Sequence, residues 1–174
     1  SGHTSGNNNI IIYNASESVY EENVSEPSLY ITGGTITEGR FTYGNSTENE
    51  VWIIKDENSN LTINNTYNPI EVKGKLKIEG VTTSATISNI GSSTTIKNSS
   101  TGALTVKTAE STDTIENSTV AGITKSNAGT LTVKSNSTIS GAITNSGTGT
   151  IVIQDSSATT GISLFINGSI TFLP

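Results

Sequence analysis

Cysteine and methionine are both absent from this 174-residue chain, and histidine and arginine occur once each, as His3 and Arg40. Without cysteine there is neither a disulfide framework nor a thiolate metal site. Proline is rare too, at three residues, so few positions are barred from a hydrogen-bonded ladder. Charged residues make up only 14% of the chain, which argues against a disordered polyelectrolyte. There is no apolar run of about 18 residues, the length a membrane-crossing helix needs, so no membrane insertion is expected. The opening SGHTSG, residues 1–6, reads as a leader left by cloning, and the lack of any methionine marks the sequence as a piece cut from a longer one.

What charge there is lies unevenly. Residues 1–68 carry nine acidic and two basic side chains, whereas residues 69–174 carry six acidic residues and seven lysines. A net charge of −6 with no basic stripe excludes a general nucleic-acid binder and gives no attraction to anionic membranes.

Uncharged Ser, Thr, Asn and Gly fill the remainder, and they are arranged periodically. One phrase recurs three times: TTIKNSSTGALTVK at 94–107, AGITKSNAGTLTVK at 121–134 and GAITNSGTGTIVIQ at 141–154. Each copy puts an Ile eight residues before a Leu or Ile (Ile96 and Leu104, Ile123 and Leu131, Ile143 and Ile151). Within a copy the apolar residues alternate, as in Leu131-Thr132-Val133, which is the period of a strand with one buried and one wet face. Gly, Asn and Ser then break the strand and supply turn geometry. A second phrase (Thr86-Ile87-Ser88, Thr114-Ile115-Glu116, Thr138-Ile139-Ser140) is interleaved with the first. Short strands that recur about every 20–28 residues bury little alone, but stacked copies share an apolar column and satisfy each other's backbone. The composition is poor in helix formers, and an antiparallel sandwich is the competing all-β solution. The repeats predict a β-solenoid in which Leu104, Leu131 and Ile151 stack in consecutive coils.

The expected organisation is an irregular N-terminal cap with the first coils over 7–68, then regular coils over 69–174 that are truncated at the C-terminus. A cap is needed because an open end exposes strand edges, and uncovered coil ends are a route to self-association. Asn14 to Ser28 is acidic and stops at Pro27, suited to a helical turn or to that cap. Nine N-x-Ser/Thr triplets, Asn14, Asn45, Asn98 and Asn136 among them, are expected at coil corners, where Asn tolerates left-handed backbone and can stack its amide.

Phrases such as GTLTVKSNSTISGAITNSGTGTIVI, over roughly residues 70–174, resemble the passenger regions of bacterial autotransporters and related surface adhesins. That resemblance implies a right-handed parallel β-helix, an extracellular or cell-surface location, and a stalk or adhesin role with a host-cell protein or glycan as partner. Polysaccharide lyases, hydrolases and phage tailspike depolymerases use the same scaffold, and a purely mechanical spacer is the third reading.

Catalysis finds little support. Glycosidic cleavage needs two carboxylates at a set separation, and the chain has only three aspartates. Asp113 and Glu116 are close in sequence, but ESTDTIENST reads as a solvated corner. There is no GxSxG, P-loop or dinucleotide fingerprint, and no cofactor is expected. Glu48, Glu50, Asp56 and Glu57 lack the spacing of a calcium loop and read as an exposed acidic loop, so no metal is expected either. Seven of the nine aromatics lie at or before Tyr67, beside the acidic excess. Rings and carboxylates together suit a sugar or a basic protein patch, which makes Trp52, Tyr43, Phe41, Arg40 and Tyr67 the candidate ligand-binding residues. In Val51-Trp52-Ile53 the pleat allows only one set inward, and the apolar pair is expected there, with Trp52 outward.

Overall fold

The computed structural model describes residues 3–4, 11–13, 18–20, 29–31, 35–36, 41–43, 47, 50–55, 57, 61–63, 69–107, 110–159 and 163–174. Among them every regular element is a strand, and the strands stack as a parallel β-solenoid. A regular coil has three sides. Ser93–Lys97, Ser100–Thr101 and Leu104–Val106 make one coil, followed by Thr112–Glu116, Thr119–Val120 and Ile123–Lys125, and then by Thr130–Lys134, Thr138–Ile139 and Ile143–Asn145. The first strand of each coil belongs to a nine-stranded long sheet, the third to a seven-stranded second sheet, and the short middle strand to a three-stranded sheet. Single bridges, Thr82 to Ser100 and Thr138 to Ala158, extend the three-stranded sheet at both ends.

Register fixes the coil length. Lys75 pairs with Ser93, Ser93 with Thr112, Thr112 with Thr130, Thr130 with Thr150 and Thr150 with Ser169, so one coil takes about 19 residues throughout. This is shorter than the coil expected from the spacing of the phrases, and it corrects the stacking. Leu104 lies in the second sheet between Ile87 and Ile123, whereas Leu131 lies in the long sheet between Asp113 and Ile151. The first two phrase copies start at Thr94 and Ala121, a separation of one and a half coils. Copy one therefore runs from long to second sheet, and copy two from second sheet to the next long-sheet strand. The two sheets demand the same alternation, so the sequence repeats by strand-corner-strand and the structure repeats by coil.

The alternation fills the interior. Ile53, Ile78, Ile96, Ile115, Val133 and Ile153 form one buried column in the long sheet, and Ile70, Ile87, Leu104, Ile123 and Ile143 form another in the second sheet. These residues are essentially inaccessible, and each full burial is worth roughly 1.5–3 kcal/mol. Val120 and Ile139 close the third side.

Corners are held by side chains rather than by length. Where the long sheet turns into the short one, Asn98, Asn117 and Asn136 adopt positive φ (49°, 44° and 61°), as the triplet reading anticipated, and Asn117 Nδ2 donates to Asn98 Oδ1 at 2.7 Å. Beside them the hydroxyls of Ser99, Ser118 and Ser137 form a ladder. Ser118 Oγ accepts from Ser99 N at 3.0 Å and donates to Glu116 O at 2.7 Å, and Ser137 Oγ accepts from Ser118 N at 3.1 Å. Each hydroxyl satisfies one backbone donor of the coil below, which the corner leaves without a sheet partner.

Among the described residues, antiparallel pairing occurs only early in the chain. Ser18–Tyr20 pairs antiparallel with Leu29–Ile31, and Ile11–Tyr13 pairs antiparallel with both His3–Thr4 and Thr35–Ile36. Ser18–Tyr20 is thus a strand, not the helical turn considered for this stretch; the rest of 14–28 lies outside the described residues. Leu29–Ile31 pairs parallel with Glu50–Ile54, so parallel register along the long sheet already begins at residue 29.

Candidate functional site

A parallel, in-register sheet turns any outward residue that recurs once per coil into a column. Two such columns run along the long sheet. One reads Glu50, Lys75, Ser93, Thr112, Thr130, Thr150, Ser169; the other reads Trp52, Lys77, Thr95, Thr114, Thr132, Val152, Thr171. From Ser93 onward nine of the ten positions are Ser or Thr, and none is buried. The motif is Ser/Thr-x-Ser/Thr, with x pointing into the core. Two residues along a strand span about 6.6 Å and neighbouring strands lie about 4.8 Å apart, so the hydroxyls form a two-dimensional array. Adjacent members can bond directly, as Thr150 Oγ1 and Ser169 Oγ do at 2.7 Å. β-branched Thr is held to few rotamers, which keeps the array ordered.

Charge borders the array without entering it. A third outward column alternates in sign through Glu79, Lys97, Glu116 and Lys134. At the N-terminal end Trp52 lies outward, with Val51 and Ile53 buried on either side. Its Nε1 donates to Glu50 Oε2 at 3.1 Å, and the Lys77 ammonium sits 4.9 Å from the ring centroid while also pairing with Glu79 at 3.4 Å. Lys77 and Trp52 thus share the column that becomes threonine farther on.

A second polar surface lies at the adjoining corner. A groove of about 320 Å³ is lined by the Asn98, Asn117 and Asn136 amides and by the Thr82, Ser100 and Thr119 hydroxyls. It offers donors and acceptors but, among its lining residues, no ionisable group.

Among the described residues, the titratable groups that are perturbed lie inside the coil. Asp113 occupies the long-sheet column between Thr94 and Leu131, and is 1% exposed. The solvated-corner reading of Asp113 is therefore wrong: in Thr112–Glu116 the pleat that buries Ile115 also buries the residue two before it. Its Oδ1 accepts from Thr94 N at 2.9 Å and its Oδ2 from Ser111 Oγ at 2.6 Å. Burial pushes its carboxyl above the usual range, against the lowering pull of those hydrogen bonds and of the Lys125 charge. Lys125, fully buried at the equivalent phase of Ile123–Lys125, has its amine pushed down by burial, against the raising pull of Asp113. Lys125 Nζ donates to Asn127 O at 3.1 Å and to Asn127 Oδ1, while Asn127 Nδ2 donates to Ser111 Oγ at 2.7 Å. Asn89 and Asn145, in the same second-sheet column, pin the same corner: Asn89 Nδ2 donates to Gly74 O at 3.0 Å, and Asn145 Nδ2 to Gly149 O at 2.9 Å.

Three of the five candidates named from sequence fall among the described residues. Trp52 is on the long sheet, while Phe41 and Tyr43 belong to a second-sheet strand, in backbone register with Ile70 and Val72. Arg40 and Tyr67 lie outside the described residues. Among the described candidates, Trp52 is the one that adjoins the hydroxyl columns. Those columns were written in the sequence as Ser/Thr-x-Thr at 93, 112 and 130, but their register could not be read until the coil length was known. No protein-family model, curated protein or solved structure matches the chain.

Proposed function

We propose that this solenoid is a non-catalytic, adhesin-like binding module of the bacterial cell surface, and that the hydroxyl-lined face of the long sheet is where it meets a glycan. The observation that carries this reading is the double Ser/Thr column from Ser93 to Thr171, an uncharged, ordered array that spans coil after coil. Sugar hydroxyls pair well with such donors and acceptors, and Trp52 at the head of the array supplies a ring face for a pyranose. Many weak contacts in register suit a repetitive polysaccharide better than a compact ligand. The buried positions of Asp113 and Lys125 support a non-catalytic role, because the perturbed acid and base face the core rather than a cleft. The test is a glycan array and polysaccharide pull-down with the chain and with Thr114→Lys/Thr132→Lys. Binding that the paired lysines abolish, with an unchanged melting temperature, is the expected result. Reducing ends or unsaturated products released from a bound polysaccharide would replace this reading with a carbohydrate-active enzyme; no binding to any glycan would leave a mechanical spacer.

The regularity of the array favours one other partner. Hydroxyls repeating at about 4.8 Å by 6.6 Å can order water over a flat face, with repeats of the scale found on ice surfaces. Thermal hysteresis and inhibition of ice recrystallisation, each lost in Thr114→Lys/Thr132→Lys, would establish ice as the ligand. Their absence alongside glycan binding would dismiss it.

A further inference from the structure

The knot around Lys125 brings an amine, a carboxamide and a carboxyl together where water does not reach. Lys125, Asp113 and Asn127 are 0%, 1% and 3% exposed. Lys125 Nζ is hydrogen-bonded to the side-chain oxygen of Asn127, which sets the nitrogen beside the amide group that bears that oxygen. The other end of the same amide is engaged as well. Asn127 Nδ2 reaches Ser111 Oγ at 2.7 Å, and Ser111 Oγ reaches Asp113 Oδ2 at 2.6 Å, giving a continuous path from the amide nitrogen to a carboxyl. Corner geometry holds these partners close: a methyl group added at Gly129 would strike the Ser111 carbonyl oxygen, and one added at Gly149 would strike Lys125 Nζ.

We propose that Lys125 and Asn127 condense to an intramolecular amide, with Ser111 and Asp113 relaying the proton that releases ammonia. The Nζ lone pair attacks Asn127 Cγ, forming the C–N bond and a tetrahedral adduct. That adduct expels Nδ2, breaking the original C–N bond. Nδ2 gains the Asp113 proton through Ser111 Oγ, and the departing ammonia takes up the proton that Nζ loses, so the sum is Lys–NH2 plus Asn–CONH2 plus Asp–COOH giving Lys–NH–CO–Asn plus NH4+ plus Asp–COO−. No oxidant or cofactor is needed. Burial favours both starting states, a neutral amine on Lys125 and a protonated carboxyl on Asp113, and a protonated Asp113 frees the Ser111 hydroxyl hydrogen to turn toward Nδ2. Holding nucleophile and carbonyl in contact supplies the effective concentration that an amine lacks toward an amide in water. The product also removes a buried amine. Lys125 and Asp113 are positioned by the fold of this chain alone, and the reaction is independent of any ligand on the outer face.

Intact-mass spectrometry of the folded chain tests this directly. The expected mass is lower than the sequence mass by one ammonia, and trypsin is expected to fail after Lys125, giving a peptide whose fragments carry a 125–127 bridge. Lys125→Arg, which keeps a long cationic side chain, is expected to show the full mass, and Asp113→Asn to slow the loss at least tenfold. A wild-type chain at full mass after prolonged incubation overturns the proposal, whether or not the variants fold. So does an ammonia loss that leaves cleavage after Lys125 intact, because that marks a loss without the bridge, such as a succinimide at an asparagine. A bridge from Lys125 to Asn145, whose buried Oδ1 has no hydrogen-bond partner and which lies beside Lys125 in the sheet, overturns the assigned acceptor.

Discussion

At the scale of single residues, the solenoid spends polar side chains on its own backbone. Ser118 is 5% exposed, accepts from the coil below and donates within its own corner. Ser118→Ala leaves the Ser99 N–H buried and unpaired, and should cost about 1–3 kcal/mol by denaturant titration. The same change at exposed Thr119, one residue on, should fall within about 0.5 kcal/mol of the parent. Asp113 gives a pH signature with a definite sign. Its folded pKa is raised, so from the unfolded value up to the folded one the native state holds a proton that the unfolded chain has lost. Stability then falls as pH climbs through that window and levels off above it. In Asp113→Asn the Oδ1 bond from Thr94 persists and this slope is gone. The variant's melting temperature should therefore gain on the parent's from acid to neutral pH, with the gain complete above the raised value. A difference constant with pH would show that Asp113 titrates as it does when unfolded.

At the scale of the strand, alternation was the legible part. Leu131-Thr132-Val133 and Val51-Trp52-Ile53 give their buried and outward faces by period two alone, and both are found as read. The same rule, applied without regard to residue type, would also have put Asp113 and Lys125 inside. Their charge suggested solvent, and charge lost to register because each has partners that a corner can supply. Which strand lay over which was not legible: the long and second sheets impose the same local pattern, so similarity of text did not mean equivalence of place. Leu131 nonetheless remains a stringent position, fully buried between Asp113 and Ile151. Leu131→Asp would set a second carboxyl next to Asp113 in a dry column, and should cost about 3–5 kcal/mol. Leu131→Asn, which carries no charge, should cost measurably less; equal losses would show that packing rather than charge dominates there. The outward hydroxyl face was half legible in the same sense. Its threonines could be seen as outward, but the aromatic candidates drew attention to an early part of the chain where, among the described residues, Trp52 is the one that joins the array.

At the scale of the whole molecule, each coil contacts only its neighbours, so the true repeat is the one that can be removed without changing any remaining register. Deleting residues 112–129 takes out one 18-residue coil and lets Thr130–Lys134 pair with Ser93–Lys97 in the place of Thr112–Glu116. Leu131 then meets Thr94, Val133 meets Ile96, and every strand beyond keeps its sheet. The buried Asp113, Lys125 and Asn127 leave together, and of their partners Ser111 Oγ and the Thr94 N–H must find new ones. Deleting residues 94–120, which honours the spacing of the first two phrase copies, does the opposite. It joins Ser93 to Ala121 and sends Ile123–Lys125, a second-sheet strand, into the long sheet. Lys125 would fall where Asn98 turns the corner, and all later strands would exchange sheets. The shorter deletion should give a β-rich circular dichroism spectrum and a cooperative melt, within about ten degrees of the parent for a loss of a few kcal/mol. The longer deletion should give no cooperative transition. Should the longer deletion fold and the shorter fail, the phrase and not the coil would be the unit of this structure.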